Sequence, residues 1–179
     1  MKKTIIICFV LFGSLQFINA QTKAEKKEAK AEKKQIEFEK IQILIDSKAF
    51  TFIPKKLFSH QGITVNVTDK SYALEIDKNN IATAYLPYFG QINNVSDAKN
   101  GGINFCSKLS NYVVTKNSKK QRIIIKADAN NKYETFNLSI TIHSNGYATL
   151  YVSSNNRDGI SYNGKIMSID ELPYNEYQN

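Results

Sequence analysis

The hydrophobic positions of this chain change period once. Between Gln35 and Lys48, Phe38, Ile41, Leu44 and Ile45 recur at spacings of three, three and one, which places them on one apolar stripe of a helix over 35–48. Beyond Lys48 the period is two. Ile63, Val65 and Val67 alternate with polar neighbours, as do Tyr72, Leu74 and Ile76, then Ile81, Thr83 and Tyr85. Ile103 with Phe105, Tyr112 with Val114, and Ile123 with Ile125 continue the pattern. The longest run is Phe136, Leu138, Ile140 and Ile142, and in 147–152 Ala148, Leu150 and Val152 share one face while Tyr147, Thr149 and Tyr151 share the other. Period two with β-branched and aromatic enrichment means half-buried strands.

The interruptions are turn chemistry. "DKNN" (77–80), "DANNK" (128–132) and "SNG" (144–146) are short and rich in Asx and Gly, as hairpins require. One helix followed by about eight or nine strands, with no second helix to make a crossover, predicts a mainly β, antiparallel barrel or sandwich. No composition break divides 35–175, which reads as a single helix-plus-β domain. Ahead of it, 21–34 is a charged spacer arm of Ala, Glu and Lys. Lys23 with Lys27, Lys26 with Lys30, and Glu28 with Glu32 put like charges four apart, which disfavours a firm helix, so the arm reads as a loose, solvated helix or a disordered segment.

The N-terminus points to export. Lys2 and Lys3 precede the apolar run Ile5–Phe12, and a small residue, Ala20, stands ahead of Gln21. That order reads as a signal peptide over 1–20. The run is too short to span a bilayer, which takes roughly 20 apolar residues. Ile7 is bulky where lipid attachment at Cys8 would need a small residue, so free periplasmic or secreted protein is expected over a lipid-anchored one. Loss of Cys8 with the signal leaves Cys106 alone, and no intramolecular disulfide can form. The apolar alternation around Cys106 in "GINFCSKL" predicts a small buried hydrophobe there.

The formal net charge is +8, of which Lys2 and Lys3 supply two and residues 22–40 two more. Arginine occurs only at Arg122 and Arg157, which is not the concentrated footprint of a nucleic-acid binder. A calcium loop counted from Asp128 fails at Tyr133 and Ser139, where glycine and a carboxylate belong. His60, His143 and Cys106 lie too far apart in sequence to signal zinc. The serine elbow and the glycine-rich phosphate and dinucleotide loops do not occur, so no catalytic residue, metal or cofactor is assigned.

Two stretches remain as candidate chemistry. In "AYLPYFG" (84–90), Pro87 ends a strand or marks an edge and Gly90 permits a bend. The rings there either plug the core, with Leu86 and Phe89 inward, or set Tyr85 and Tyr88 at the mouth of a cavity. In "NNRDGISYNGKI" (155–166), Arg157 beside Asp158 suits a local ion pair, and Gly159 and Gly164 suit a hairpin. Alternatively Arg157 anchors an anion beside Tyr162.

Together "FTFIP" (50–54), "LPYFG" (86–90), "GGINF" (101–105), "GYATLYV" (146–152) and "R-x-x-ISYNGKI" (157–166) resemble a family of small exported proteins of Gram-negative bacteria, domain of unknown function 4251. The likeness covers about 35 to 168 and implies an export signal, a helix and a mostly β body. It implies no activity. The expectation is a non-enzymatic, small-ligand-binding β module with a site near Tyr85, Tyr88, Phe89, Arg157 and Tyr162. The alternative is a structural or protein-interaction module of the cell envelope, touching its partner through the helix or the basic arm. An enzyme using carboxylates such as Asp158, Asp170 or Glu171 ranks third. A small molecule or an envelope protein is the expected partner, and the oligomeric state stays open.

Overall fold

The computed structural model describes residues 2–92 and 101–171. The expected domain end at 175 lies outside them. The chain divides into two compact units, Met1–Glu37 and Phe38–Asn179.

The first unit is helical, the greater part of α1 (Lys2–Asp46). Residues 23–36 are exposed on every side, so propensity alone supports them: Ala, Glu and Lys are strong helix formers. Among the described residues no helix is long and apolar enough to cross a membrane.

In the second unit the end of α1 packs on the β body. Phe38 and Ile45 are buried, and Ile41 and Leu44 lie half-buried against the same cluster, which is the expected stripe. Lys48 at φ 53° ends the helix in the left-handed region. Asp46 sits where the helix dipole disfavours an acid, and Lys116 compensates with Nζ 2.6 Å from its carboxylate.

Among the described residues ten strands follow: β1 (Phe50–Ser59), β2 (Thr64–Asn66), β3 (Ala73–Ile76), β4 (Ile81–Leu86), β5 (Ile103–Lys108), β6 (Ser110–Asn117), β7 (Arg122–Asn130), β8 (Thr135–His143), β9 (Tyr147–Ser154) and β10 (Arg157–Ser168). All pairings are antiparallel, in the order β5-β4-β3-β1-β10-β9-β8-β7-β6, with β2 added on β1. β5 and β6 occupy opposite ends of that order, yet only Leu109 separates them in the chain. The two ends of the sheet must therefore meet, and the sheet rolls into a nearly closed barrel. At the meeting line the Asn130 amide donates to Ser107 Oγ at 3.1 Å and Asn131 Nδ2 to the Asn104 carbonyl at 3.1 Å. Barrel rather than sandwich is thus decided by one residue of chain.

The inward rows combine large with small. Leu74 faces Ala84, which faces Phe105; Ala127 faces Leu138, Ala129 faces Phe136, and Ile142 faces Ala148. Such alternation lets a tightly curved sheet fill its interior without voids. The turns follow their chemistry: Asp77 Oδ1 accepts from the amides of Asn79 (2.9 Å) and Ile81 (2.7 Å).

Three expectations are corrected. Cys106 is exposed on the outer face of β5, with Thr83 Oγ1 3.5 Å from its sulfur, because the inward positions are Ile103 and Phe105. Gly159 and Gly164 lie inside β10, not at a hairpin. Arg157 pairs with Glu134 and not with Asp158.

Candidate functional site

β4 ends at Leu86, and Pro87 cannot continue a ladder. The segment that follows is strapped down from behind. Tyr162, fully buried on β10, donates its hydroxyl to the Pro87 carbonyl at 2.6 Å. The Tyr88 hydroxyl lies 2.8 Å from the Gln91 carbonyl and 3.1 Å from that of Asp158. A Cβ on Gly90 would come 2.8 Å from the Tyr88 ring carbon that bears the hydroxyl, so a larger residue there would require that ring to shift off its two carbonyl partners. Ile92 bridges to Arg157, closing the segment on the first residue of β10.

Arg157 is the hub of this support. Its Nε donates to Glu134 Oε1 at 2.6 Å, its Nη1 donates to the Gly102 carbonyl at 3.0 Å, and its guanidinium lies 5.2 Å from the Tyr88 ring centroid and 5.9 Å from that of Phe136. The other Glu134 oxygen accepts from Ser154 Oγ at 3.1 Å. Both charged side chains are almost wholly buried, 6% and 1% exposed. The fork that could have anchored an anion is engaged by Glu134 and Gly102 on this side of the barrel.

What the straps hold outward is aromatic. Tyr85 and Phe89 are 46% and 47% exposed. Tyr72 stacks on Tyr85 with ring centroids 5.0 Å apart and planes at 28°. With Pro87, Tyr88, Gly102 and Asn104 these rings line an open hollow of about 360 Å³. Of the expected site residues, Tyr85, Tyr88 and Phe89 come together at the hollow, while Arg157 and Tyr162 stand behind it. Leu86 is inward as the packing alternative expected, and Phe89 is not.

Sequence reading missed Tyr72, Asn104 and Glu134. Tyr72 was not recoverable, since period two groups it with the inward Leu74 and Ile76, and only the end of β3 at Ala73 frees its ring to stack on Tyr85. Asn104 and Glu134 carry no local mark either.

Carboxylate, imidazole, thiol and ammonium groups are all missing from the described lining, which leaves stacking and hydrogen bonding by phenol and amide groups as its chemistry. Burial pushes the Tyr162 hydroxyl far above the ordinary 10.0, and the neighbouring Tyr88 adds to the rise. Tyr88 is raised for the same first reason, with Asp158 contributing. A folded-state pKa above the unfolded one means the contribution to stability is complete below the unfolded value and is lost as pH rises past it. Unfolding free energy is therefore expected to fall above about pH 10, by up to about 1.4 kcal/mol per pH unit for each fully buried tyrosine. Urea titrations of the protein and of Tyr162→Phe across that range check this: the variant should show the shallower decline.

A family model described as "Domain of unknown function (DUF4251)" matches residues 32–166. No curated protein matches the chain. The crystal structure of a DUF4251 family protein from Bacteroides eggerthii DSM 20697 superposes with a TM-score of 0.61 at 12% identity, covering 75% of this chain and 89% of that one.

Proposed function

Since the chain belongs to the DUF4251 family, a domain of unknown function, its role has to come from its own site, and we propose that it is an exported, non-enzymatic binding module whose ligand seats in the hollow of Tyr72, Tyr85, Phe89 and Asn104. The observation that carries this reading is the pair of exposed, outward rings at the end of β4 and on the segment after it, which Tyr162 and Tyr88 tie down by hydrogen bonds and Arg157 backs at the Tyr88 ring. Exposed aromatics lose little on immobilisation when the backbone below them is already held, and preorganised surface of this kind supports binding. The hollow favours a ligand with a flat apolar face and hydrogen-bonding edges, such as a sugar ring: the rings take the face and Asn104 an edge. The N-terminal signal pattern supports a site of action outside the cytoplasm.

The envelope-interaction reading draws its support from the barrel interior. Phe50, Phe52, Phe105, Phe136 and Tyr162 fill it, so a ligand has the surface rather than the lumen to occupy.

Native mass spectrometry of protein purified from its own envelope, before and after denaturation, tests the proposal. An adduct that leaves on denaturation is the expected result, and a bare chain would sink it in favour of the interaction reading. Tyr85→Ala and Phe89→Ala should each weaken that adduct about tenfold or more, as loss of an anchoring ring does, with the unfolding transition unchanged.

A further inference from the structure

The arm becomes informative once it is helical. At 100° per residue, Lys23, Lys26, Lys27, Lys30, Lys33 and Lys34 fall within an arc of about 120°, and Glu25, Glu28 and Glu32 gather on the opposite side. The lysine face is about 17 Å long from Lys23 to Lys34, at 1.5 Å per residue. All of these residues are exposed.

A helix that merely spaced two parts would be better served by opposite charges at i+3 and i+4, which stabilise isolated helices. Here every charged pair at those spacings between residues 23 and 36 is like-charged, lysine with lysine or glutamate with glutamate. The arrangement weakens the free helix and concentrates positive charge on one side. An anionic surface against that side would relieve the repulsion, and the glutamates on the reverse limit contact to one face.

We infer that the lysine face of residues 23–34 docks on the phosphate headgroups of an anionic lipid bilayer. Charge complementarity favours this occupant, as it does for polybasic segments at membranes in general. Pairing with the glutamate face of a second copy is the weaker rival. The arm offers it no continuous apolar seam, and exposed ion pairs alone hold helices together poorly.

The test is co-sedimentation of the full chain with vesicles of phosphatidylcholine alone or mixed with phosphatidylglycerol. Binding to the mixed vesicles only, reversed by salt, is expected. The triple variant Lys26→Gln, Lys30→Gln, Lys33→Gln should lose about a hundredfold in affinity, at about fivefold per lysine. The triple variant Glu25→Gln, Glu28→Gln, Glu32→Gln should lose none. Glutamine keeps the helix, which circular dichroism verifies. Equal binding to both vesicle types would assign the contact to the apolar N-terminal stretch and overturn the inference. So would retention by the lysine variant, or a vesicle-free dimer that this variant dissociates.

Discussion

Arg157→Ala is expected to cost about 3–5 kcal/mol of unfolding free energy, the range for removing one partner of a buried ion pair. The reason lies in what stays behind. Glu134 Oε1 loses its 2.6 Å partner in a position where the side chain is 1% exposed, and Ser154 alone cannot satisfy the charge. Glu134→Ala should be comparably harmful, because the guanidinium would keep only the Gly102 carbonyl and the two rings. Arg157→Met combined with Glu134→Leu should recover most of the loss, since an apolar pair of similar volume leaves no charge unpaired. Guanidinium denaturation of the three variants reads this directly. A double variant no better than the singles would show that the hydrogen bond to Gly102, and not the charge pair, holds the segment. The same experiment bears on the hollow, because Arg157 links Glu134 ahead of β8 to Gly102 ahead of β5 and to the Tyr88 ring.

Gly164→Ala is expected to destabilise by about 3 kcal/mol, the upper part of the ordinary overpacking range. Gly164 lies opposite Pro54 in the β1–β10 ladder, where the register shifts between Pro54 and Lys56. A Cβ there would overlap the Ile53 carbonyl oxygen and come 2.8 Å from the Phe52 ring. The first neighbour is backbone and cannot rotate away, so the two strands must separate at the pairing that joins the two halves of the sheet order. Thermal unfolding of the variant measures it, and a loss under about 1 kcal/mol would mean that the bulge absorbs the methyl group. Gly159→Ala is the milder control, since the clash there is with the movable end of the Tyr151 side chain.

These two positions also show where local reading stops. Arg157 and Gly164 were both visible as unusual residues, and both were given local partners: Asp158 for the arginine and a hairpin for the glycine. Their actual partners are Glu134, 23 residues away in the turn ahead of β8, and Ile53 on β1. In β4 the larger alternating set, Ile81, Thr83 and Tyr85, faces out, while Ala82, Ala84 and Leu86 face in. Either set could have been buried in a flat sheet. Closure of the barrel places the small residues beside Leu74 and Phe105 and leaves Tyr85 for the hollow.

The chain by itself determined its alternating strands between Thr64 and Ser154, its docked helix stripe and its tight turns. Each depends on contacts within a few residues: period two for a pleated surface, spacings of three and four for a helix face, Asx and Gly for turns. β1 shows the boundary of that reasoning, since Phe50, Thr51 and Phe52 are all buried between neighbouring strands and leave no alternation to see. Tertiary structure alone decided the closure through Leu109, the outward turn of Phe89, the burial of Arg157 and Tyr162, and the stacking of Tyr72 on Tyr85. Those depend on register between strands far apart in sequence, where a slip of one residue reverses every face, and no local period carries that information.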